Sequence, residues 1–425
     1  LTENRRLVFQ QTLVVSLLFA GYASYYFCRS DLSVAMPMLA DELRQHAGMT
    51  VDMATVRLGS IVSFGVLAYA IGKLLLGGLG DFWGGRSSFL GGLSGAVIFT
   101  MIFTLGGGLP IFTLAWIGNR FVQSMGWAGL VKVCSNWFSY KAYGTVVGIL
   151  SLSFLLGDAL ARGWMGLLID RGFGWRALFY LAAMVSAVVL AANLIFLRET
   201  RTALGFSEPE ANPVNVFHDE PAAGNVLTPF LKSGAFWIVC FLSLGTTIVR
   251  ETFNTWTPTY LHKFLGYSDG AAAKTSAIFP LLGAVSVMIA GIAGDRLGAA
   301  GRSIVLFFGM VITTAGLCSM MALHSGSQGL VPIVLIGLVG LGLLGPYSYL
   351  AGAMALDIGG KRGGATSSGL IDGVGYLGGV LAGDSVARIS VHSGWSGVFA
   401  ALAAISGASA LAACVLFVNQ KRQVS

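Results

Sequence analysis

Charge is what this sequence has least of. Only 11% of its 425 residues are Asp, Glu, Lys or Arg, against about 25% in a soluble globular protein. A chain so poor in charge cannot clothe a water-facing surface, so lipid must solvate much of it. Cysteine is scarce as well. Cys28, Cys134, Cys240, Cys318 and Cys414 stand singly inside apolar runs, a spacing that excludes a disulfide framework and a paired-cysteine metal site. The five histidines lie mostly at segment ends and no HExxH string is present, so neither a metal nor a cofactor is expected. No nucleophile–base set is recognisable, and an enzyme is not expected. The net charge is +7, yet no basic run interleaved with aromatics points to nucleic acid.

What is abundant is apolar residues, at 55%, and glycine, at 59 positions, about twice the usual share. Glycine is favoured in membrane helices because it lets backbones approach closely. A spanning helix needs about 20 apolar residues. Twelve such runs lie near 9–40, 55–79, 88–107, 110–138, 143–169, 174–197, 227–261, 272–294, 302–323, 328–357, 362–390 and 394–418. The first run is too long for a signal-peptide core and contains Arg29, so no cleavable signal is expected. The sixth and seventh runs are separated by a polar stretch, 198–226, rich in Glu, Pro and Asn.

The two halves repeat. Gly80-Asp81 and Gly294-Asp295 follow the second and eighth runs, and Lys141/Lys361, Gly144/Gly364 and Gly174-Trp175/Gly394-Trp395 recur at one offset of about 220 positions. Repeats of this kind build many transporters, with the substrate near the bilayer midplane. The expected domains are therefore a six-helix bundle over 1–197, a cytoplasmic linker over 198–226, and a second six-helix bundle over 227–425. Arg5, Arg6, Arg86, Lys141, Arg198, Arg201, Arg302, Lys361, Arg362, Lys421 and Arg422 fall on the side of the N-terminus. By the positive-inside rule, both termini are expected in the cytoplasm.

A few charges fall deep inside apolar runs, where a central arginine costs at least roughly 2.5–3.5 kcal/mol. Arg29 lies in the first run and Arg250 in the seventh, at nearly the repeat offset, so they are expected at equivalent places facing each other across a pseudo-two-fold axis. Guanidinium forks suit a tetrahedral oxyanion. The competing reading is internal pairing, for instance of Arg250 with Glu251 or Asp372. Lys73, four residues after Tyr69, is a third buried cation, open to a ligand role or to snorkelling. Arg120 is open to substrate binding, proton coupling or a structural hydrogen bond. Asp158-Arg162 and Asp384-Arg388 sit in repeated Gly-Asp-x-x-Ala-Arg strings, and the i,i+4 spacing favours internal neutralisation. Asp372 has no such local cation. Asp81 with Arg86, and Asp295 with Arg302, lie in Gly-Asp strings read as tight cytoplasmic loops, where they are candidates for gating.

These loops resemble the signature of the major facilitator superfamily. Within it, Gly21-Tyr22 through Arg29, Ala35-Met36-Pro37, Tyr69-x-x-x-Lys73, Gln123-Ser-Met-Gly126-Trp127, Trp137-Phe138, Trp256-Thr-Pro258-Thr-Tyr260-Leu261, Gly345-Pro346 and Gly375-Tyr376-Leu377-Gly378-Gly379 resemble the organophosphate:phosphate antiporter family. That family includes glycerol-3-phosphate, hexose-phosphate and glucose-6-phosphate carriers. The resemblance implies an all-α membrane protein with twelve transmembrane helices in two pseudo-symmetric bundles, monomeric and multi-pass in a bacterial inner membrane. It implies arginines at Arg29 and Arg250 that hold the phosphate moiety, and Lys73, Tyr22, Tyr26, Tyr69 and Tyr376 lining the same cavity. Ser30 replaces a second basic residue of the glycerol-phosphate branch, Ser153 falls near the place of its fifth-helix histidine, and Ala128-Gly129 replaces a double proline.

The expected function is rocker-switch exchange of inorganic phosphate for a small organophosphate, including a zwitterionic phosphate or phosphonate among the candidates. Phosphate bridging the two arginines would offset their repulsion and let only the loaded carrier reorient quickly. The alternatives are proton-coupled transport of another small anion, such as a phosphonate or carboxylate, using Asp372 or Asp158, and a non-transporting sugar-phosphate sensor.

Overall fold

A computed structural model describes residues 3–76, 83–209, 227–354 and 369–424. Every regular element among the described residues is helical. Asp81, Lys361, Arg362 and Gly364 lie outside the described residues, as do 210–226 of the linker, the surroundings of Gly144, and the side chains of Lys141, Asp295, Lys421 and Arg422.

The apolar runs become the helices α1 (Glu3–Ala47), α2 (Val51–Leu76), α3 (Gly85–Leu105), α4 (Leu109–Gln123), α5 (Met125–Trp137), α6 (Tyr140–Asp170) and α7 (Trp175–Phe196). After the linker come a short α8 (Leu227–Lys232), α9 (Gly234–Thr259) running on into a wider turn at Tyr260–Phe264, α10 (Asp269–Ser276), α11 (Ile278–Met321) and α12 (Leu330–Tyr349). The chain closes with α13 (369–381) and α14 (Asp384–Val424). Ten described helical stretches are long and apolar enough to cross a membrane. The twelve runs account for them. The fourth is broken at Ser124, whose hydroxyl donates to Phe121 O at 2.6 Å, into α4 and α5. The eleventh and twelfth join through Gly394, whose φ of 69° marks a break inside α14 that glycine takes at little cost. The string Gly294–Gly298, expected as a tight loop, falls within the helical bounds of α11, between the apolar stretches Asp269–Ala293 and Gly301–Met321.

The chain packs as two compact units, one made of Leu1–Ala35 and Phe64–Asn215, the other of Met36–Ser63 and Val216–Ser425. Residues 36–63, the end of α1 and the start of α2, thus pack with the second unit. Lys263 Nζ meets Asp41 Oδ1 at 2.7 Å, Ser60 Oγ donates to Asp384 Oδ1 at 2.8 Å, and Ser63 Oγ donates to Val380 O at 2.6 Å. A side chain on Gly59 would strike Gly383 and Ala387, so this join depends on glycine.

Each unit carries its own copy of the repeat's aromatic cage. Trp175 sits against Phe103, Phe112 and Phe179 with centroids 5.5–6.0 Å away. Trp395 sits against Trp256, Tyr260 and Phe399 at 5.2–6.4 Å.

Candidate functional site

In the first unit three cations from the apolar runs gather on one ring. Tyr69 is 2% exposed, and the guanidinium carbons of Arg29 and Arg120 and the Lys73 ammonium lie 4.6, 4.8 and 5.3 Å from its centroid. The Tyr69–Lys73 spacing places both on one face of α2, and Arg29 comes from α1 and Arg120 from α4. Any two of these cations are therefore within about 10 Å, where like charges repel by at least roughly 1.5 kcal/mol per pair at an effective dielectric of 20. The electron-rich ring face offsets part of that.

The arginine is held in place. Arg29 Nε donates to Gln123 Oε1 at 3.2 Å and Nη1 to Tyr26 Oη at 2.9 Å, with the Tyr26 ring 4.8 Å below it. Gln123 is fixed in turn by donating to Cys28 O and Asn119 Oδ1. Its amide oxygen can face only the guanidinium because its nitrogen is already committed. Tyr22 packs with Tyr25, Tyr26 and Trp127 and is buried one ring behind the cations.

Sequence reasoning passed over Asp31, although an acid two residues after Arg29 in an apolar run was a visible signal. Its carboxylate is fully buried. Oδ1 accepts the Leu32 N–H, Oδ2 has no hydrogen-bond partner, and the Arg120 charge acts on it.

The second unit treats its arginine differently. Arg250 Nη2 donates to Glu251 Oε1 at 2.6 Å and to Tyr376 Oη at 3.2 Å. The guanidinium stacks on Tyr347 at 4.5 Å and near Tyr376 at 5.5 Å. The pairing of Arg250 with Glu251, the competing reading from sequence, is thus present. Tyr347 was not singled out, because nothing but its packing against Arg250 distinguishes it. Asp372 is half-buried one turn before Tyr376 on α13, hence on the same face.

The repeated Gly-Asp-x-x-Ala-Arg strings form the expected pairs. Asp158 accepts from Arg162 Nε at 2.8 Å and from Ser30 Oγ, so Ser30, which departs from the glycerol-phosphate pattern, is bound to this pair. Asp384 accepts from Arg388 Nε at 2.6 Å, and Arg388 lines a cleft of about 390 Å³ together with Asp52, Arg57 and Ser60. Ser153 is buried and donates to Leu150 O at 2.5 Å.

Of the gating candidates, Arg86 is tied to helix ends. Its guanidinium donates to Leu197 O and Leu194 O, both at 2.7 Å, satisfying carbonyls at the end of α7. Glu199, unremarked in the sequence, accepts the Gly85 and Arg86 N–H groups at the start of α3. Arg302 is half-buried on α11.

The family model for the Major Facilitator Superfamily matches residues 18–383. The chain belongs to that superfamily. It is a multi-pass membrane protein with the all-helical superfamily fold. Among curated relatives, a probable hexose phosphate transport protein of Chlamydia muridarum is 26% identical over 91% of this chain and 86% of its own. The glycerol-3-phosphate transporter of Haemophilus influenzae is 25% identical over 90% and 86%. A solved bacterial homologue of the human lysosomal transporter Spinster shares the fold, with a TM-score of 0.73 at 14% identity over 96% of each chain.

Proposed function

We propose that this superfamily member is a secondary active transporter that exchanges inorganic phosphate for a small organophosphate by rocker-switch alternating access. The observation that carries the reading is the gathering of Arg29, Lys73 and Arg120 around Tyr69, with Asp31 the buried acid beside them. Such an excess of positive charge in a low-dielectric setting is relieved by a multiply charged anion, and guanidinium forks match tetrahedral oxygens. The names of the relatives, hexose-phosphate and glycerol-3-phosphate carriers, support phosphate as the shared moiety. Arg29, Lys73, Tyr26 and Tyr69, with Arg250 and Tyr376, are assigned to substrate contact, and Tyr22 to support of Tyr26. Asp81, Arg86, Asp295 and Arg302 are assigned to gating, and both termini to the cytoplasm.

The empty carrier retains its mutually repelling cations and reorients slowly, whereas the phosphate-loaded carrier is neutralised and reorients fast. Exchange is therefore obligatory. Proteoliposomes preloaded with phosphate should take up labelled phosphate at least tenfold faster than empty ones, and equal rates would exclude exchange. A panel of organophosphates competing in the same assay names the organic substrate.

Asp31, fully buried and with one oxygen unbonded, favours a second reading in which anion uptake is proton-coupled. Net uptake into empty vesicles under an imposed pH gradient would support it.

A further inference from the structure

The two arginines meet an incoming anion under different conditions. Arg29 donates to two neutral groups, the Gln123 amide and the Tyr26 hydroxyl. Arg250 is paired with a carboxylate, Glu251, at 2.6 Å, with side chains 11% and 9% exposed. Successive residues on a helix do not face each other. The Arg250 side chain nonetheless reaches Glu251 while resting on Tyr347 of α12 and near Tyr376 of α13.

An anion that engages Arg250 is set directly beside the Glu251 carboxylate. Two negative charges in a buried site disfavour each other, and drawing one partner away from a buried ion pair leaves the other poorly compensated. A simple phosphate monoester thus meets repulsion from Glu251 here. A ligand carrying a positive charge close to its phosphate reverses the sign. Its anionic end takes Arg250, its cationic end takes Glu251, and one buried ion pair is exchanged for two.

Two other intramembrane acids are engaged elsewhere. Asp158 is bound by Arg162 and Ser30, and Asp384 by Arg388 and Ser60. Glu251 is a carboxylate in direct hydrogen-bond contact with Arg250, a proposed phosphate ligand. Tyr347 and Tyr376, which now stack on or near the guanidinium, present π-faces suited to an ammonium. Asp372, one turn from Tyr376 on α13, adds negative charge along that helix face.

We propose that the organic substrate is zwitterionic, a phosphate or phosphonate whose short carbon chain ends in an ammonium group, with Glu251 selecting the ammonium. The inference rests on the transport reading above and names the substrate class of that site. The chain must be short because the guanidinium and carboxylate that receive the two charges are in direct contact.

The test compares 2-aminoethylphosphonate with propylphosphonate, which has the same heavy-atom skeleton and lacks the ammonium, as inhibitors of phosphate exchange by the full chain in proteoliposomes. In the unaltered protein the amino compound should inhibit at least tenfold more strongly. In Glu251→Gln, which keeps the shape and removes the charge, that ratio should fall to near one. Equal inhibition by the two compounds in the unaltered protein overturns the proposal, as does a preference that survives in Glu251→Gln. Equal binding accompanied by a proton taken up only when Glu251 is present also overturns it, since the carboxylate is then neutralised by protonation. If the unaltered protein shows no phosphate exchange, the transport reading fails. The substrate class is then judged by the thermal shift each compound gives the purified protein, with the same tenfold difference required. If Glu251→Gln does not fold, Glu251→Asp takes its place, and a partial loss of the ratio is required.

Discussion

An arginine in the hydrocarbon layer costs at least roughly 2.5–3.5 kcal/mol on insertion scales, and Arg29 and Arg250 offset that cost in different ways. Arg29 has an amide, a phenol and two ring faces, from Tyr26 and Tyr69. Arg250 has a carboxylate, a phenol and two rings. Neither environment could be met by lysine, whose ammonium is a compact point charge without the planar fork. Each charge-assisted hydrogen bond contributes about 1.5–3 kcal/mol. Arg29→Lys and Arg250→Lys should therefore lower phosphate exchange in proteoliposomes by roughly 10- to 100-fold each. Solubilised yield and melting temperature should stay near those of the parent. Unchanged exchange in either variant would remove that arginine from the site. Both were legible in the sequence because a charge inside an apolar run stands out against its neighbours. Asp31 was equally visible, but what it faces was not, since Arg120 comes from a helix about ninety positions away.

Close backbone approach explains several choices along the helices. Gly85 at the start of α3 and Gly129 in α5 lie against each other, and a Cβ on Gly129 would stand 2.5 Å from Phe89 N and 2.6 Å from Gly85 O. Both neighbours are backbone and cannot swing aside. The Ala128-Gly129 string, which departs from the double proline of related carriers, therefore has a packing reason. Gly129→Ala should force α3 and α5 apart and cost about 1–3 kcal/mol, read as a lowered melting temperature of the purified protein. No change in melting would mean that the helices separate freely. The ends of these helices are tied by charge. Glu199 caps the first N–H groups of α3, while Arg86 caps the last carbonyls of α7, consistent with the helix dipole at each end. The existence of these helices was readable from run length alone. Their ends and the break at Ser124 were not, because Ser124 sits mid-run in apolar sequence and its role depends on the close approach of Gly72 in α2.

At the scale of the whole chain, basic residues crowd one set of loops, and the positive-inside rule sets the orientation tested next. Gly107 and Ser207 are both exposed and lie in loops assigned to opposite faces, Gly107 outside and Ser207 inside. In intact cells, a membrane-impermeant maleimide should label Gly107→Cys and leave Ser207→Cys untouched until the membrane is opened. The reverse pattern would invert the topology. The parent is a suitable background, because Cys28, Cys134 and Cys240 are buried and Cys318 and Cys414 lie within apolar spanning stretches.

The sequence by itself determined that this is a membrane protein of many helices, because a chain with 11% charged residues has no other way to solvate itself than lipid and internally bonded helices. It also determined where the costly charges lie, since hydropathy is a property of each run read alone. Only the tertiary structure decided what those charges meet. Three cations converge on Tyr69 from three helices, and Arg250 is neutralised by its neighbour while resting on rings from α12 and α13. Apart from the Arg250–Glu251 and Tyr69–Lys73 pairs, these contacts join residues tens of positions or more apart. They are set by how helices pack, which depends on shape and on the small residues between them and leaves no local pattern in the chain.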